Sequence, residues 1–406
     1  MVDFSHDAII LGGGPAGLTS AILLAREGFN VICADPFFKQ LQSNTPHEDN
    51  RTIALLQGAI RLLERTGIWP LMQDEATELW TMRVEDTTGR WPRAPDMDFK
   101  ARELGDEPFG YNIPMPVITA ALWKTAHDYN TLKLFPESAS KVESKSQAVH
   151  ITLEDGKHCN APLLIAADGR NSRARKAAGI KVNRWAYNQT AIALTFSHTA
   201  PHENVSVEFH RKPGPFTIIP MQGNRSALVW VETPAEAKRL LGLDDAKLIQ
   251  IMEDHMHGRL GKISGLSKKN AFPVAGLTAR EYAANRVALV GESAHVLPPI
   301  GAQGLNLGLR DAALIAELAA QARRWGDDPG AAELMGEYDR KRRFDIFPRT
   351  AAVDALNRSL LFGIPPVQGL RAAGVTLLKT IAPLRQAIMQ QGLVEDKDLP
   401  QIMRRV

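Results

Sequence analysis

Residues 7–35 constrain the fold of this chain more than any other stretch. An apolar run from Asp7 to Leu11 closes on Gly12-Gly13-Gly14-Pro15-Ala16-Gly17, and a helical pattern from Leu18 to Glu27 then ends at Gly28. A second apolar run, Asn30 to Ala34, ends at Asp35, 23 residues after Gly12. Strand, glycine turn, helix, strand and acid in that order form a βαβ unit carrying GxGxxG, and the acid lies near the ~20-residue distance that a dinucleotide fold expects. Gly12 permits the tight turn, Gly14 lets the backbone approach a pyrophosphate, and Gly17 allows close packing of helix on strand. Asp35 is then free to accept hydrogen bonds from a ribose.

The other buried strands lie far away. Leu163 to Ala167 ends in Asp168-Gly169-Arg170-Asn171-Ser172-Arg173-Ala174-Arg175, and Val287 to Val290 breaks at Gly291-Glu292. After a Pro-Pro segment, a small-residue turn (Gly301-Ala302-Gln303-Gly304) opens into an apolar helix, whose unpaired N–H groups suit an anion. Between these pieces the chain is different. Residues 79–110 alternate like strands of a second layer, and 184–232 hold four β-like runs whose spacing suits an antiparallel sheet. Val142 to Leu153 alternates like a hairpin with its turn at Glu154-Asp155-Gly156. Helical patterns cover Gln57 to Gly67, Val117 to Tyr129, Pro234 to Gly258 and Ala331 to Phe347. A last amphipathic pattern places Leu370, Leu377, Leu378, Ile381, Leu384 and Ile388 on one face, with Arg371 and Lys379 away from it.

Composition excludes several classes. A length of 406 residues suggests two joined domains, and a net charge of +3 without a long basic block argues against nucleic acid. No run of ~18 apolar residues exists to span a membrane. The N-terminal apolar run has no basic residues before it and does not read as a signal peptide. Cys33 and Cys159 have neither CxxC nor Cys/His spacing, so no metal site is expected, and free thiols fit a reducing cytoplasm. His255 and His257 have near-ligand spacing but no companion ligands, and read as a solvated helix face, as does Arg340 to Arg343. His295, at a strand end, reads as a packed or capping residue rather than a base.

Three motifs stand in order: GxGxxG with Asp35, then Asp168-Gly169 with Ser172 and Arg175, then Gly291-Glu292 through Asn306. Together they resemble the single-component FAD-dependent aromatic hydroxylases, the p-hydroxybenzoate hydroxylase-like group, over about residues 5–345. Arg51-Thr52-Ile53-Ala54-Leu55, Trp185 to Gln189 and the run from His295 through Ala312 look like the ubiquinone-biosynthesis hydroxylases within it.

The resemblance implies an α/β fold: a discontinuous Rossmann-like FAD-binding domain (1–80, 111–183 and 273–330), an inserted β-rich substrate domain (81–110 and 184–272) and a C-terminal helical region (331–406). It implies that Gly12, Gly14, Pro15, Ala16 and Gly17 hold the FAD pyrophosphate, with Asp35 on the ribose and Arg51 approaching the flavin. Asp168 and Gly169 would serve both FAD and the nicotinamide cofactor, with Arg175 supporting their turn. Gly291 and Glu292 would meet the ribityl chain, with Glu292 standing where Asp is common. Pro299 would face the reacting edge, and Gly301, Ala302, Gln303, Gly304, Leu305 and Asn306 the N1/C2=O side, where a helix N-terminus stabilises the negative charge of reduced flavin.

The implied reaction is an NAD(P)H- and O2-using hydroxylation of a polyprenylated phenol through a flavin hydroperoxide, in a dry pocket contributed by Trp185, Tyr187, Gln189, Phe216 and Pro220. Met115-Pro116 departs from the Asn-Arg that relatives tend to carry. Two other readings stand beside the hydroxylase: a flavin reductase or dehydrogenase of an isoprenoid or amine, and a non-catalytic scaffold of a quinone-biosynthesis complex. The C-terminal stripe fits either helices packed on the body or peripheral contact with the inner face of a membrane.

Overall fold

The computed structural model describes residues 5–43, 49–361, 365–390 and 399–405; residues 44–48, part of the polar start of 43–69, lie outside them. Four apolar runs, Ala8–Leu11, Val31–Ala34, Leu163–Ala166 and Val287–Leu289, form the centre of a six-stranded sheet and are buried throughout. The spatial order places 287–289 beside 163–166, then 8–11, then 31–34, all parallel. Such strands are covered on both faces, so each reads as a continuous apolar run rather than an alternation. Two further strands complete the sheet: Leu132–Phe135 pairs parallel with Val31–Ala34 at one edge, and Ala283–Ala284 lies at the other. Pro15–Arg26 crosses the sheet between the Gln303–Trp325 and Met115–Ala126 helices.

The expected hairpin near 142–156 is a three-stranded meander, Ala139–Ser144, Val149–Leu153 and His158–Ala161. A nine-stranded sheet forms the second layer, running from Met97–Lys100 and Thr81–Asp86 through Val205–His210, Phe216–Met221 and Arg225–Glu232 to the long strand Val182–His198. It differs from the expectation in two ways. Thr81–Asp86 runs parallel to Val205–His210, because the two are joined through the other domain rather than by a hairpin. Asn270–Ala279 pairs with Val182–His198, so the β layer extends past residue 273 before the chain returns to the first sheet.

One face of this layer packs Phe196, Phe209, Phe216 and Trp230 against the Pro234–Leu241 and Asp245–His255 helices, which Gly242 separates. The C-terminal part begins with the long helix Ala332–Leu361 and continues through Pro365–Thr380 and Ala382–Met389. Finally Leu399 and Met403 return to the first domain's core against Gln57–Arg65, where Arg65 donates to the Gln401 and Arg404 carbonyls, both at 2.7 Å.

Candidate active site

The parallel strands 8–11, 163–166 and 287–289 are neighbours, so their carboxyl ends bring Gly12, Asp168 and Gly291 to one crevice despite separations of more than 100 residues. Open α/β sheets bind ligands at that place. Backbone geometry explains the glycines. A Cβ on Gly12 (φ +108°) would lie 2.1 Å from the Ala167 carbonyl oxygen, and one on Gly17 would lie 1.9 Å from that of Gly12. Gly14 is different: its φ is −70°, and a Cβ there would meet nothing within 4 Å. The glycine at that position leaves room for something outside the protein. Asp35 accepts from the Gly13 and Phe37 N–H groups at 2.6 and 2.8 Å and remains half-buried at the rim.

The second turn is braced by Arg175, which is 1% exposed. Its guanidinium donates to the Ser293 carbonyl at 2.6 Å and to the Arg170 carbonyl at 2.9 Å, joining the 168–172 turn to the 291–293 turn. Burial, with Arg184 nearby, lowers its pKa. Asp168 accepts through Oδ2 from the Arg173 and Ala174 N–H groups, whereas its buried Oδ1 has no partner in the protein. A buried carboxylate oxygen without a donor is an invitation to one. Glu292 points outward, 55% exposed, and meets Arg170 at 3.3 Å.

The third segment rests on a buried charge cluster. Asp311 is fully buried on the 303–325 helix. Its Oδ2 accepts from Gly291 N–H at 2.9 Å and from His295 Nε2 at 2.7 Å, and its Oδ1 accepts from Arg342 Nε at 2.6 Å. Arg342 also donates to Asp345 at 2.6 Å, and Asp345 meets Arg310 and Arg349, both at 2.8 Å. Burial alone would raise the Asp311 carboxyl, but Arg342, His295 and the Gly291 N–H together hold it below the usual carboxylate range. The Arg340–Arg343 run therefore divides: three residues are exposed, and Arg342 anchors the cluster.

Past His295 and Val296, Pro299 is exposed, and the backbone turns through two positive φ values, Gly301 at +66° and Ala302 at +54°, into the helix. A Cβ on Gly301 or Gly304 would meet no atom within 4 Å. Positive φ in alanine is costly and persists where function or packing requires it. Gln303 donates to the Gly301 carbonyl at 3.0 Å. Leu305 packs half-buried on the core. The Asn306 amide is committed to the protein, accepting from Leu56 N–H and donating to the Ala54 and Ala302 carbonyls, so it locks the Thr52–Leu56 strand to the helix entrance. Arg51, just before that strand, pairs with Asp49 at 2.6 Å and lies 5.9 Å over the Phe272 ring. Met115 takes up the Arg51 carbonyl through its N–H at 2.9 Å, and Pro116 sits in the first turn of its helix, where a missing N–H costs nothing.

The expected substrate residues are not brought together. Phe216 is fully buried among Trp230 and the two short helices, because strand alternation turns it away from the crevice. Its row partners, Trp230 and Ile192, face the same way. The opposite, crevice-side face carries Thr217, Val229 and Ala193 in register, with Val231, Ala191 and Phe272 in the adjoining row. Tyr187 and Gln189 lie where the strand register shifts, and both meet the 332–361 helix. The Tyr187 hydroxyl accepts from Trp185 and donates to Asp354 at 2.5 Å, while Gln189 accepts from Asn357 at 3.0 Å and donates to the Pro213 carbonyl at 2.6 Å. Pro220 accepts from Asn112 at 2.8 Å.

Sequence reasoning missed the Asp311 cluster, because Asp311 is one of two acids in that helix and only its burial distinguishes it from Glu317. It also missed a cleft of about 320 Å³ lined by Arg170, Arg184, Trp185, Gly276, Leu277 and Val296. Among the described residues no three His, Cys, Asp or Glu side chains gather to hold a metal.

Comparison with known proteins agrees with this architecture. Residues 5–345 match the FAD binding domain family. The chain is 33% identical to the ubiquinone hydroxylase UbiL of Rhodospirillum rubrum, covering 98% of this chain and 93% of the relative. It is 29% identical to the 3-demethoxyubiquinol 3-hydroxylase of Escherichia coli, covering 97% and 100%. Its fold is similar to that of p-nitrophenol 4-monooxygenase PnpA from Pseudomonas putida, with a TM-score of 0.76 at 17% identity over 97% of this chain and 99% of that one. Empty space at Gly14, Gly301 and Gly304 and the orphaned Asp168 oxygen fit the cofactor of this family. The chain belongs to the FAD binding domain family, in the branch of its ubiquinone-hydroxylase relatives.

Proposed function

We propose that this protein is an FAD-dependent monooxygenase that uses NAD(P)H and O2 to hydroxylate the aromatic ring of a polyprenylated phenol in ubiquinone biosynthesis. The observation that carries the reading is the convergence of Gly12–Gly17, Asp168–Gly169 and Gly291–Asn306 at the carboxyl ends of adjacent parallel strands. Bound FAD supplies the redox chemistry, accepting two electrons from the nicotinamide cofactor and activating oxygen.

The chain's own groups bind and orient. Gly12, Gly14, Pro15, Ala16 and Gly17 would hold the pyrophosphate and Asp35 the ribose, with Arg51 toward the flavin. Asp168 Oδ1 would accept from the cofactor, and Gly169, Gly291 and Glu292 would flank its ribityl side. The first N–H groups of the 303–325 helix, reached through Gly301, Ala302, Gln303, Gly304 and Leu305, would hold negative charge at N1/C2=O, and Pro299 would face the reacting edge. The Arg170/Arg184/Trp185 cleft suits the phosphates and ring of the nicotinamide cofactor.

The crevice-side face of the β layer, with small Ala191 and Ala193 beside Thr217 and Val229, would supply apolar walls that exclude water around an aromatic ring. Tyr187 and Gln189 would shape the edge of that pocket through the 332–361 helix. The same reading has the C-terminal helices in contact with a membrane surface or with a quinone-biosynthesis complex.

The test is direct. The purified protein should be yellow, and a prenylated phenol should stimulate NAD(P)H oxidation with O2 consumed and a hydroxylated ring produced. A colourless protein that cannot be reconstituted with FAD overturns the reading. Substrate-stimulated NAD(P)H oxidation without oxygen entering the product favours a reductase instead.

A further inference from the structure

The cleft beside the crevice draws its polar lining from a stretch of chain that holds cations and no acids. From Gly169 through Ala186 there are six Arg and Lys residues and no Asp or Glu. Two of them, Arg170 and Arg184, line the cleft with Trp185, and the rest of the lining, Leu277 and Val296 included, is apolar.

The side chains of this wall are held in place. Arg184 donates to the Arg170 carbonyl at 2.7 Å and to Asn171 Oδ1 at 3.3 Å, and among the described residues it meets no carboxylate. Its guanidinium is thereby tied to the 168–172 turn, yet the side chain stays exposed with further N–H groups to give. Arg170 meets Glu292 at 3.3 Å at the same mouth. Trp185 donates its indole N–H to the Tyr187 hydroxyl, and its ring lies so close on Gly276 that a Cβ there would stand 2.1 Å from it. What Trp185 offers the cleft is therefore a flat aromatic surface and no donor.

We infer that this cleft selects NADPH over NADH, with Arg184 and Arg170 holding the 2′-phosphate of the adenosine and Trp185 carrying the purine. The two cofactors differ only at that ribose position, and the pyrophosphate they share confers no preference. A site for NADH supplies a carboxylate to accept from the free 2′-hydroxyl, whereas a site for NADPH supplies an arginine for the phosphate. Here the arginines are present, and Glu292, the carboxylate at the mouth, is already engaged by Arg170. A guanidinium fork matches two phosphate oxygens at once, and an aromatic face accepts a base by stacking. NADH in the same place would set two cations against a neutral hydroxyl. The inference rests on the nicotinamide part of the proposed function and goes beyond it in choosing between the two cofactors.

The test is calorimetric binding of NADP+ and NAD+ to the full-length, FAD-loaded protein, followed by turnover with NADPH and NADH. NADP+ should bind at least about tenfold more tightly, the scale of one charge-assisted contact, and the advantage should shrink with added salt. Arg184→Gln should weaken NADP+ by at least about tenfold and NAD+ by less than about twofold, with KM for NADPH raised, kcat kept and FAD content unchanged. Arg170→Gln should act in the same direction. Adenosine 2′-monophosphate should displace NADP+ from the wild type and not from the Arg184→Gln protein. Equal affinity for the two cofactors overturns the inference, as do arginine variants that weaken both cofactors alike, the mark of a merely structural role. A yellow protein that hydroxylates its phenol with NADH as readily as with NADPH overturns the inference and leaves the proposed function standing. A protein that binds neither cofactor overturns both.

Discussion

Replacing Asp311 with asparagine perturbs the loop that follows Val287–Leu289 more sharply than any change at the surface. The carboxylate accepts three hydrogen bonds, from Gly291 N–H, His295 Nε2 and Arg342 Nε, and donates none. An asparagine has one acceptor oxygen and one amide that can only donate, so at least one of these donors faces another donor. The charge balance also changes. Arg342, Arg310 and Arg349 stand against Asp311 and Asp345, and losing the Asp311 charge leaves buried Arg342 with Asp345 alone, which it shares with two other arginines. Breaking a buried pair in this way costs about 3–5 kcal/mol. An unfolding entropy of about 2 cal/mol/K per residue over 406 residues converts that into a Tm fall of about 4–6 °C.

The loss should be directional, because Gly291 N–H and His295 together hold the turn that leads to Pro299. FAD dissociation should therefore rise by about tenfold, the equivalent of about 1.4 kcal/mol. The assay is thermal unfolding of apo and FAD-loaded protein together with fluorescence titration of FAD. Arg343→Gln, which removes only an exposed pair with Asp339, is the control and should change stability by less than about 1 kcal/mol. An Asp311→Asn protein that matches wild type in both Tm and FAD affinity would refute the argument.

Gly14→Ala should leave apo stability within about 0.5 kcal/mol and cut FAD affinity by more than about tenfold, since its Cβ meets only the space meant for the cofactor; wild-type FAD affinity would move the pyrophosphate elsewhere. Gly276→Ala places a Cβ 2.1 Å from the Trp185 indole and should raise KM for NAD(P)H with FAD content unchanged, whereas an unaltered KM would remove that cleft from nicotinamide binding. Burial against Phe216 and Trp230, with Arg211 adding to it, lowers the His255 pKa to about 4. The unfolded chain therefore takes up a proton first as pH falls from about 6.5 to about 4, and wild-type stability should decline across that window. His255→Gln should flatten the decline in urea titrations, and an unchanged slope contradicts the assignment.

Much of the first domain was legible because its strands are buried on both faces and their ends carry glycine or acid. Ala8–Leu11 and Leu163–Ala166 emerge within a residue or two of the runs that betrayed them. Leu132–Phe135 escaped because Lys133 interrupts it; an edge strand needs only one apolar face. The substrate side was harder. Phe216 and Thr217 are equally plausible as inward residues until the sheet's partner on each face is known, and a sequence does not say which face meets helices. Tyr187 and Gln189 depended on the 332–361 helix, whose arrival across more than 140 residues no local pattern announces. Arg342 was hidden among three exposed cations of the same run, where only tertiary contact with Asp311 distinguishes it.

The return of Leu399 and Met403 to the Gln57–Arg65 helix sets the timing of biosynthesis. At about 5–20 residues per second, roughly 20–80 s separate the emergence of Gly12 from that of Met403. During that interval the 8–11 strand waits for its neighbours at 163–166 and 287–289, and the groove that receives Leu399 stays open to solvent. The first domain should therefore depend on chaperones while it waits, and a stop codon placed before residue 399 should yield a protein that quality control removes rather than a shorter working enzyme.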